Sequence, residues 1–330
     1  MLDRSSRELQ VALDAVRNTA VLARTIQRAD SAKRLTKSDL SPVTVADFAA
    51  QAVVARMLEQ AFPRDALVAE ERSDSLRMPE GAETLDLVTG FVRELAPEAG
   101  NAAVCEWIDR GAADPADRFW VLDPVDGTKG YLRGGQYAVA FALVENGQVK
   151  LGVLGCPNLA PDCTEDIGGP GAVVVAVRGQ GAWAGPMMNA GDFVPLKVSN
   201  IADPVNARVL RSHEAAHTNV GRIDRLVEYL GVQAEPVRMD SQAKYAVMAV
   251  GGGELLFRLL SPKQPDYVEK IWDQAAGSIV IEEAGGRITD LSGAPLDFAQ
   301  GRRLEKNRGV LASNGLLHEK ALDALAHVPD

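Results

Sequence analysis

Apolar positions at intervals of three and four open the chain. Leu9, Leu13, Val16, Ala20 and Ala23 follow that period and predict an amphipathic helix over about 4–28. The stretch 28–40 is polar and reads as a loop. Its Lys33, Arg34 and Lys37 are within conceivable reach of an active site, although a solvated loop accounts for them more simply. A second helix starts from 41–44, with Thr44 as N-cap and Asp47 at the spacing of a capping-box acid. Phe48, Ala52, Ala55, Leu58 and Phe62 form its apolar stripe. Residues 66–69 predict a short strand ending in Glu70-Glu71, and 79–95 a helix with Leu85, Val88, Val92 and Leu95 on one face. The run Phe119 to Leu122 reads as a buried strand. Segments 136–144 and 149–154 predict a hairpin across Asn146-Gly147, and 172–178 and 193–198 add strands.

After about 204 the rhythm changes. Strands at 207–210, 237–239, 255–260 and 310–312 alternate with helices at 219–230, 241–250, 272–284 and the C-terminal end. The expectation is an α+β unit over 1–200 with a largely antiparallel sheet, followed by an α/β unit over 201–330. Helices and sheets then stack in alternating layers.

The 330 residues, 46% of them hydrophobic and 24% charged, suit a soluble protein with a substantial core. A net charge of −10 argues against nucleic-acid binding through a basic face, and no apolar run is long enough to span a bilayer. The first residues carry acids among the arginines and lack the apolar stretch of a signal peptide, so the cytoplasm is the expected compartment. Cys105, Cys156 and Cys163 show neither zinc spacing nor a disulfide framework.

The chemistry centres on Leu122-Asp123-Pro124-Val125-Asp126-Gly127-Thr128-Lys129. Two carboxylates stand three residues apart on a turn at the end of a buried strand. Held together and desolvated they repel, and a hard cation such as Mg²⁺ relieves both costs. A solvated Asp-rich turn is the plainer account of such a spacing taken alone. The hydroxyl of Thr128 and the cations Lys129 and Arg133 favour a site for a metal and an anion. Asp47, Glu70 and Asp273 also stand where elements begin or end, each explicable alone as a cap or a surface acid. No spacing rule brings these acids together. His213-Glu214-Ala215-Ala216-His217 matches the zinc-protease pattern H-E-x-x-H, but a cap at Thr218 or Asn219 leaves the pair on the preceding turn, so no zinc is expected.

The pair of motifs Asp123-Pro-x-Asp-Gly-Thr and Trp272-Asp273-x-Ala-Ala-Gly resembles the lithium-sensitive, Mg²⁺-dependent inositol monophosphatase superfamily. The stretches Lys129-Gly-Tyr-Leu-Arg-Gly, Leu154-Gly-Cys-Pro-Asn-Leu and Met239-Asp-Ser-Gln-Ala-Lys-Tyr resemble its 3'(2'),5'-bisphosphate nucleotidase branch of eukaryotic and plant-like type. The similarity runs from about Ser41 to Phe298. It implies one Mg²⁺ held by Glu70, Asp123 and the carbonyl of Val125, a second held by Asp123, Asp126 and Asp273, and a third, weaker ion using Glu70. It implies that Thr128 orients the attacking water while Asp47 accepts the hydroxyl proton. It further implies contacts to adenosine and a second phosphate from His213, Ser241, Lys244 and Arg258, and the backbone N–H groups of Gly127, Thr128 and Lys129, at a turn or helix start, are expected to cradle the scissile phosphate. No organic cofactor is implied.

The expected reaction is hydrolysis of the 3'-phosphate of adenosine 3',5'-bisphosphate to AMP and phosphate, with 3'-phosphoadenylyl sulfate as a second substrate. The expected partner is thus a small nucleotide, not nucleic acid or membrane, and the expected state a monomer or weak dimer. An inositol or sugar phosphatase of the same superfamily is the alternative, and a non-catalytic nucleotide sensor the alternative from another class. Two departures stand out. Arg72 follows Glu70-Glu71 where relatives usually carry a small or acidic residue. The run Gly251-Gly252-Gly253 makes the assignment of Arg258 less direct than that of Lys244.

Overall fold

The computed structural model describes residues 2–33, 45–188, 191–213 and 218–329. In chain order these form α1 (Arg7–Lys33), α2 (Val45–Ala61), β1 (Ala66–Ala69), a 3-10 turn (Pro79–Gly81), α3 (Ala82–Val92), α4 (Asn101–Arg110), β2 (Arg118–Asp126), α5 (Thr128–Arg133), β3 (Ala138–Glu145), β4 (Gln148–Cys156), β5 (Ala172–Val177), β6 (Gly181–Pro186) and β7 (Val194–Pro195). They continue with β8 (Val209–Arg211), α6 (Val220–Leu230), β9 (Val237–Arg238), α7 (Ala243–Ala249), β10 (Leu255–Arg258), α8 (Ala275–Glu283), β11 (Arg287–Thr289), β12 (Val310–Ser313) and α9 (His318–His327). Among the described residues no helix is long and apolar enough to cross a membrane.

Seven strands form the first sheet in the order β1-β2-β3-β4-β5-β6-β7; β1 lies parallel to β2 and every later pair is antiparallel. The second sheet runs β11-β12-β10-β8-β9, parallel across β10-β8-β9 and antiparallel across β11-β12-β10. Side chains alternate across β2. Phe119 and Val121 join a core shared with α7, α8 and the second sheet, whereas Trp120 and Leu122 join one shared with α1 and α2. The outer face of the second sheet packs on α6 and α9 through Ile223, Leu226, Ala321 and Leu325. The layers are therefore helix, sheet, helix, sheet, helix. With both faces covered, the strands read as nearly continuous apolar runs.

Several elements differ from the sequence expectation. The first helix extends to Lys33, since Arg, Ala and Lys keep helix propensity after the apolar stripe ends. Arg34, Lys37 and the Thr44 cap lie outside the described residues, as do Glu214 and His217 of the H-E-x-x-H match. The predicted 79–95 helix divides into the 3-10 turn and α3, with Pro79 at the start of the turn. Helix α4 and strands β6 and β11 were not anticipated. Strand β6 is mostly small residues, Gly-Ala-Trp-Ala-Gly-Pro, and lacks the β-branched signature. The predicted 193–198 strand shrinks to two residues at the sheet edge, where Pro195 brings no donor.

Strand β2 does not stop at Leu122. It continues through Pro124 to Asp126, with a shift of register against β3 between Asp123 and Asp126. Proline is tolerated in such a bulge because the ladder is already interrupted. The β3-β4 hairpin turns on Asn146 and Gly147, both with positive φ, as an Asn-Gly type I′ turn requires.

His318 is fully buried, its Nε2 3.0 Å from Thr289 Oγ1 and its Nδ1 2.8 Å from Ser313 Oγ. Burial, reinforced by Arg287 against the opposing Glu319, lowers its pKa to about 4. The folded value lies below the unfolded one near 6.5, so this residue's contribution is complete above pH 6.5 and is lost as pH falls toward 4. The slope is at most about 1.4 kcal/mol per pH unit. Urea unfolding at pH 7.5, 6 and 5 should show a steeper loss for the wild type than for His318→Gln.

Candidate active site

The parallel pairing of β1 with β2 sets Ala69 beside Leu122, so Glu70, just past the end of β1, follows at the level of Asp123, which is still within β2. Helix α2 docks on this strand end. Gln51 Nε2 donates to the carbonyls of Glu71 and Ile108, each at 2.7 Å, and Gln51 Oε1 accepts from the Glu71 N–H at 2.9 Å. Asp47 stands one helical turn before Gln51, on the same face, and is buried. The bulge in β2 brings Asp126 round beside Asp123. The second half of the chain then closes over them: the Gln242 N–H donates to Asp126 Oδ2 at 2.6 Å, and Gln242 Nε2 donates to the Trp272 carbonyl at 3.0 Å. That bond fixes the turn carrying Asp273 immediately before α8.

The acids are close enough to disturb one another. Burial first, and then the charges of Asp273, Glu71, Asp47 and Asp126, raise Glu70 to about 9, although the residue keeps much of its surface exposed. Burial and Asp47 raise Glu71 to about 8. Asp123, fully enclosed, is raised far above an ordinary carboxyl by burial and by Glu70, Asp126, Asp273 and Asp47. Burial also raises Asp126, against the pull of Arg258, Gln242 and Lys244. Asp273 rises to about 7 for the same first reason, offset by Arg258. Asp123 Oδ1 is buried and accepts no hydrogen bond.

A divalent cation suits this donor set, because it supplies the missing partner of Asp123 Oδ1 and offsets the mutual repulsion. As the side chains stand, no three His, Cys, Asp or Glu groups among the described residues already close on a single point. Asp273 Oδ2 accepts from Arg258 at 2.9 Å and from the Tyr267 hydroxyl at 3.4 Å, and Asp126 accepts from Gln242. A cation must compete with or share those contacts.

Two adjoining cavities lead from the acids. One, of about 330 Å³, is lined by Asp126, Gly127, Thr128, Lys129, Gly130 and Asp273 together with Asp240 and Tyr267. The other, of about 210 Å³, extends between β8, α6 and β10 and is lined by His213, Leu210, Val220, Ile223, Leu256 and Phe257, with Arg211 and Arg238. Asp126, Ser212, Ser241, Lys244, Arg258 and Asp273 line both. Lys244 Nζ donates to Ser212 Oγ at 2.8 Å. Burial and the neighbouring Arg258 lower Lys244 to about 8, with Asp126 and Asp240 opposing. Arg258 pairs with Glu269 at 2.7 Å as well as with Asp273.

Gly127, Thr128, Ser241, Lys244, Arg258, Asp126 and Asp273 thus share one wall system, and His213 stands in the second cavity. Asp47, Glu70, Asp123 and Val125 line neither cavity. The Thr128 hydroxyl donates to the Val125 carbonyl at 3.4 Å.

Sequence reasoning missed Gln242, Asp240, Tyr267 and Glu269. Asp240 accepts from Arg133 and from the His213 N–H at 3.1 Å, tying α5 to the end of β8. Glu269 holds Arg258 and Gln274. Asp240 and Gln242 stood inside a quoted motif, and nothing in their spacing marked either as a clamp.

The layered architecture is that of solved IMPases. The IMPase of Thermotoga maritima superposes with a TM-score of 0.66 at 20% identity, over 98% of both chains. The chain belongs to the inositol monophosphatase family, whose model matches residues 5–329. Among curated relatives, the 3'(2'),5'-bisphosphate nucleotidase of Schizosaccharomyces pombe is 40% identical over 97% of this chain and 95% of its own. That of Oryza sativa is 40% identical over 96% and 93%.

Gly127 has φ +87°, and a Cβ there would meet Ser241 Cβ at 2.8 Å. Gly127→Ala should therefore cost about 1–3 kcal/mol in urea unfolding from the left-handed conformation alone. It should also lower turnover by pushing α5 from the Ser241 turn. An unchanged stability would show that the turn relaxes freely.

Proposed function

We propose that the chain is a Mg²⁺-dependent phosphomonoesterase that removes the 3'-phosphate of adenosine 3',5'-bisphosphate, giving AMP and phosphate, with 3'-phosphoadenylyl sulfate as a second substrate. The observation that carries this reading is the pair of joined cavities. Asp126 and Asp273 edge both, and the cavity lined by Gly127, Thr128, Lys129 and Gly130 suits a phosphate beside cations. A partly apolar cavity suits a nucleoside, and Lys244 and Arg258 stand between them. The names of the full-length relatives point to the same substrate. Members of the family are generally Mg²⁺-dependent.

On this reading Glu70, Asp123, Asp126, Asp273 and the Val125 carbonyl hold two to three Mg²⁺ ions. When bound, Mg²⁺ neutralises the crowded acids, polarises the phosphate and acidifies the attacking water. Thr128 orients that water through its hydroxyl, and Asp47 of α2 takes the hydroxyl proton. The N–H groups at the start of α5 and Gly127, which lets the chain approach closely, position the scissile phosphate. Lys244 and Arg258 bind the second phosphate. Lys244, at about 8, remains largely protonated at neutral pH. His213 and the apolar wall receive the adenosine, with Ser241 donating to it. On the same reading the protein works in the cytoplasm as a monomer or weak dimer, with a small nucleotide as its partner and no zinc.

Phosphate release in Mg²⁺ should be fastest with adenosine 3',5'-bisphosphate in a panel that includes inositol 1-phosphate, inositol 1,4-bisphosphate, fructose 1,6-bisphosphate and 5'-AMP. Preference for an inositol or sugar phosphate would keep the acids' role and overturn the nucleoside contacts. Binding without turnover at saturating Mg²⁺ would favour a sensor.

Asp123→Asn and Asp47→Asn should each lose turnover by orders of magnitude while keeping the wild-type circular dichroism spectrum. A wild-type rate in either would sink the assigned roles.

A further inference from the structure

Arg302 lies in the loop between α8's following strand β11 and β12, far in sequence from the acids, yet it touches both halves of the site. Its Nη1 donates to the carbonyls of Gly111 at 3.1 Å and Ala113 at 2.8 Å, and its Nη2 donates to the carbonyl of Ala69. Ala69 ends β1 and directly precedes Glu70. The Ala69 N–H in turn donates to the Gly111 carbonyl at 2.8 Å, so the guanidinium closes a small ring of main chain around the strand end.

The other side of Arg302 holds the Asp273 turn. Its own carbonyl accepts from the Ile271 N–H at 3.2 Å, and its guanidinium carbon lies 5.1 Å from the Trp272 ring centre. The neighbouring Lys270 and Arg303 pair through their main chains as an isolated antiparallel β-bridge, and Leu304 N–H donates to the Glu269 carbonyl at 2.9 Å. One residue therefore links the main chain before Glu70 to the main chain before Asp273. All three side-chain acceptors are neutral carbonyls, which makes this a geometric clamp rather than an ion pair. A planar guanidinium fork can span three carbonyls in this way, and an ammonium cannot reproduce it.

We propose that Arg302 is a positioning residue that sets the separation of Glu70 and Asp273, and through it the affinity of the site for Mg²⁺. This rests on the reading that those two acids hold the cation. Residues that orient ligands from behind typically change metal affinity by about 10- to 100-fold when replaced.

The test is calorimetric titration of Mg²⁺ into the wild type, Arg302→Lys and Arg302→Gln, alongside kcat and KM for adenosine 3',5'-bisphosphate. Arg302→Gln serves as the second variant should Arg302→Lys not fold. Both variants should bind Mg²⁺ at least about 10-fold more weakly. Turnover should fall at limiting Mg²⁺ and recover at saturating Mg²⁺, with KM for the nucleotide changed less than about twofold, since Lys244 and the nucleoside cavity are left intact. A lower melting temperature without metal, with wild-type Mg²⁺ affinity, would reduce Arg302 to a structural role and overturn the proposal. Loss in Arg302→Gln but not in Arg302→Lys would show that charge matters and the fork does not, and would also overturn it. A wild type that binds no Mg²⁺ would overturn the reading of the acids themselves, and this inference with them.

Discussion

Like charges brought together away from water repel, and the fold spends much of its detail on holding them there. The five acids Asp47, Glu70, Asp123, Asp126 and Asp273 come from α2, the end of β1, the bulge of β2 and the turn before α8. Neighbouring segments anchor them, and Asp126 and Asp273 are also held through their own carboxylate oxygens. Gln51 fixes the main chain around Glu71, the β1-β2 ladder fixes Glu70 and Asp123, and Gln242 fixes Asp126 and the turn of Asp273. Asp123 Oδ1 is left with no hydrogen bond at all. A scaffold that rigid, around groups so unfavourable to desolvate, is the arrangement expected where a cation and not a protein donor completes the site.

The same elements divide the work of recognition. The start of α5 lines the cavity beside Lys129 and Gly130, whereas β8, α6 and β10 line the one beside His213. Ser241, with φ +68°, sits at the junction and packs against Gly127. Asp240 beside it ties Arg133 of α5 to the main chain of His213. A change in the position of α5 therefore reaches both cavities. On the proposed reading, this is how the reacting phosphate and the nucleoside are kept in register.

Much of this was legible in the sequence. The strand at Phe119, the hairpin at Asn146-Gly147 and the helix beginning after Asn219 follow from local pattern and turn chemistry, which act over a few residues. The seam between the sheets was less so. Strand β6 is built of small residues, and α8 approaches α7 so closely that a Cβ on Gly277 would meet Tyr245 Cδ2 at 2.0 Å. Such contacts carry no periodic signal. The candidate acids could be named individually, but each had an adequate explanation as a cap or a turn residue. Their convergence depends on parallel strand pairing and on Gln242, contacts between distant segments. Arg302 is invisible for the same reason: its partners are main-chain carbonyls, and any sequence has those.

The most direct measurement is a crystal structure grown with Mn²⁺ in place of Mg²⁺ and adenosine 3',5'-bisphosphate or its product AMP, read by anomalous scattering. The account predicts anomalous peaks among Glu70, Asp123, Asp126 and Asp273, with the nucleoside in the cavity beside His213. Peaks elsewhere, or none at these carboxylates, would contradict the claim that the acids are gathered to hold cations.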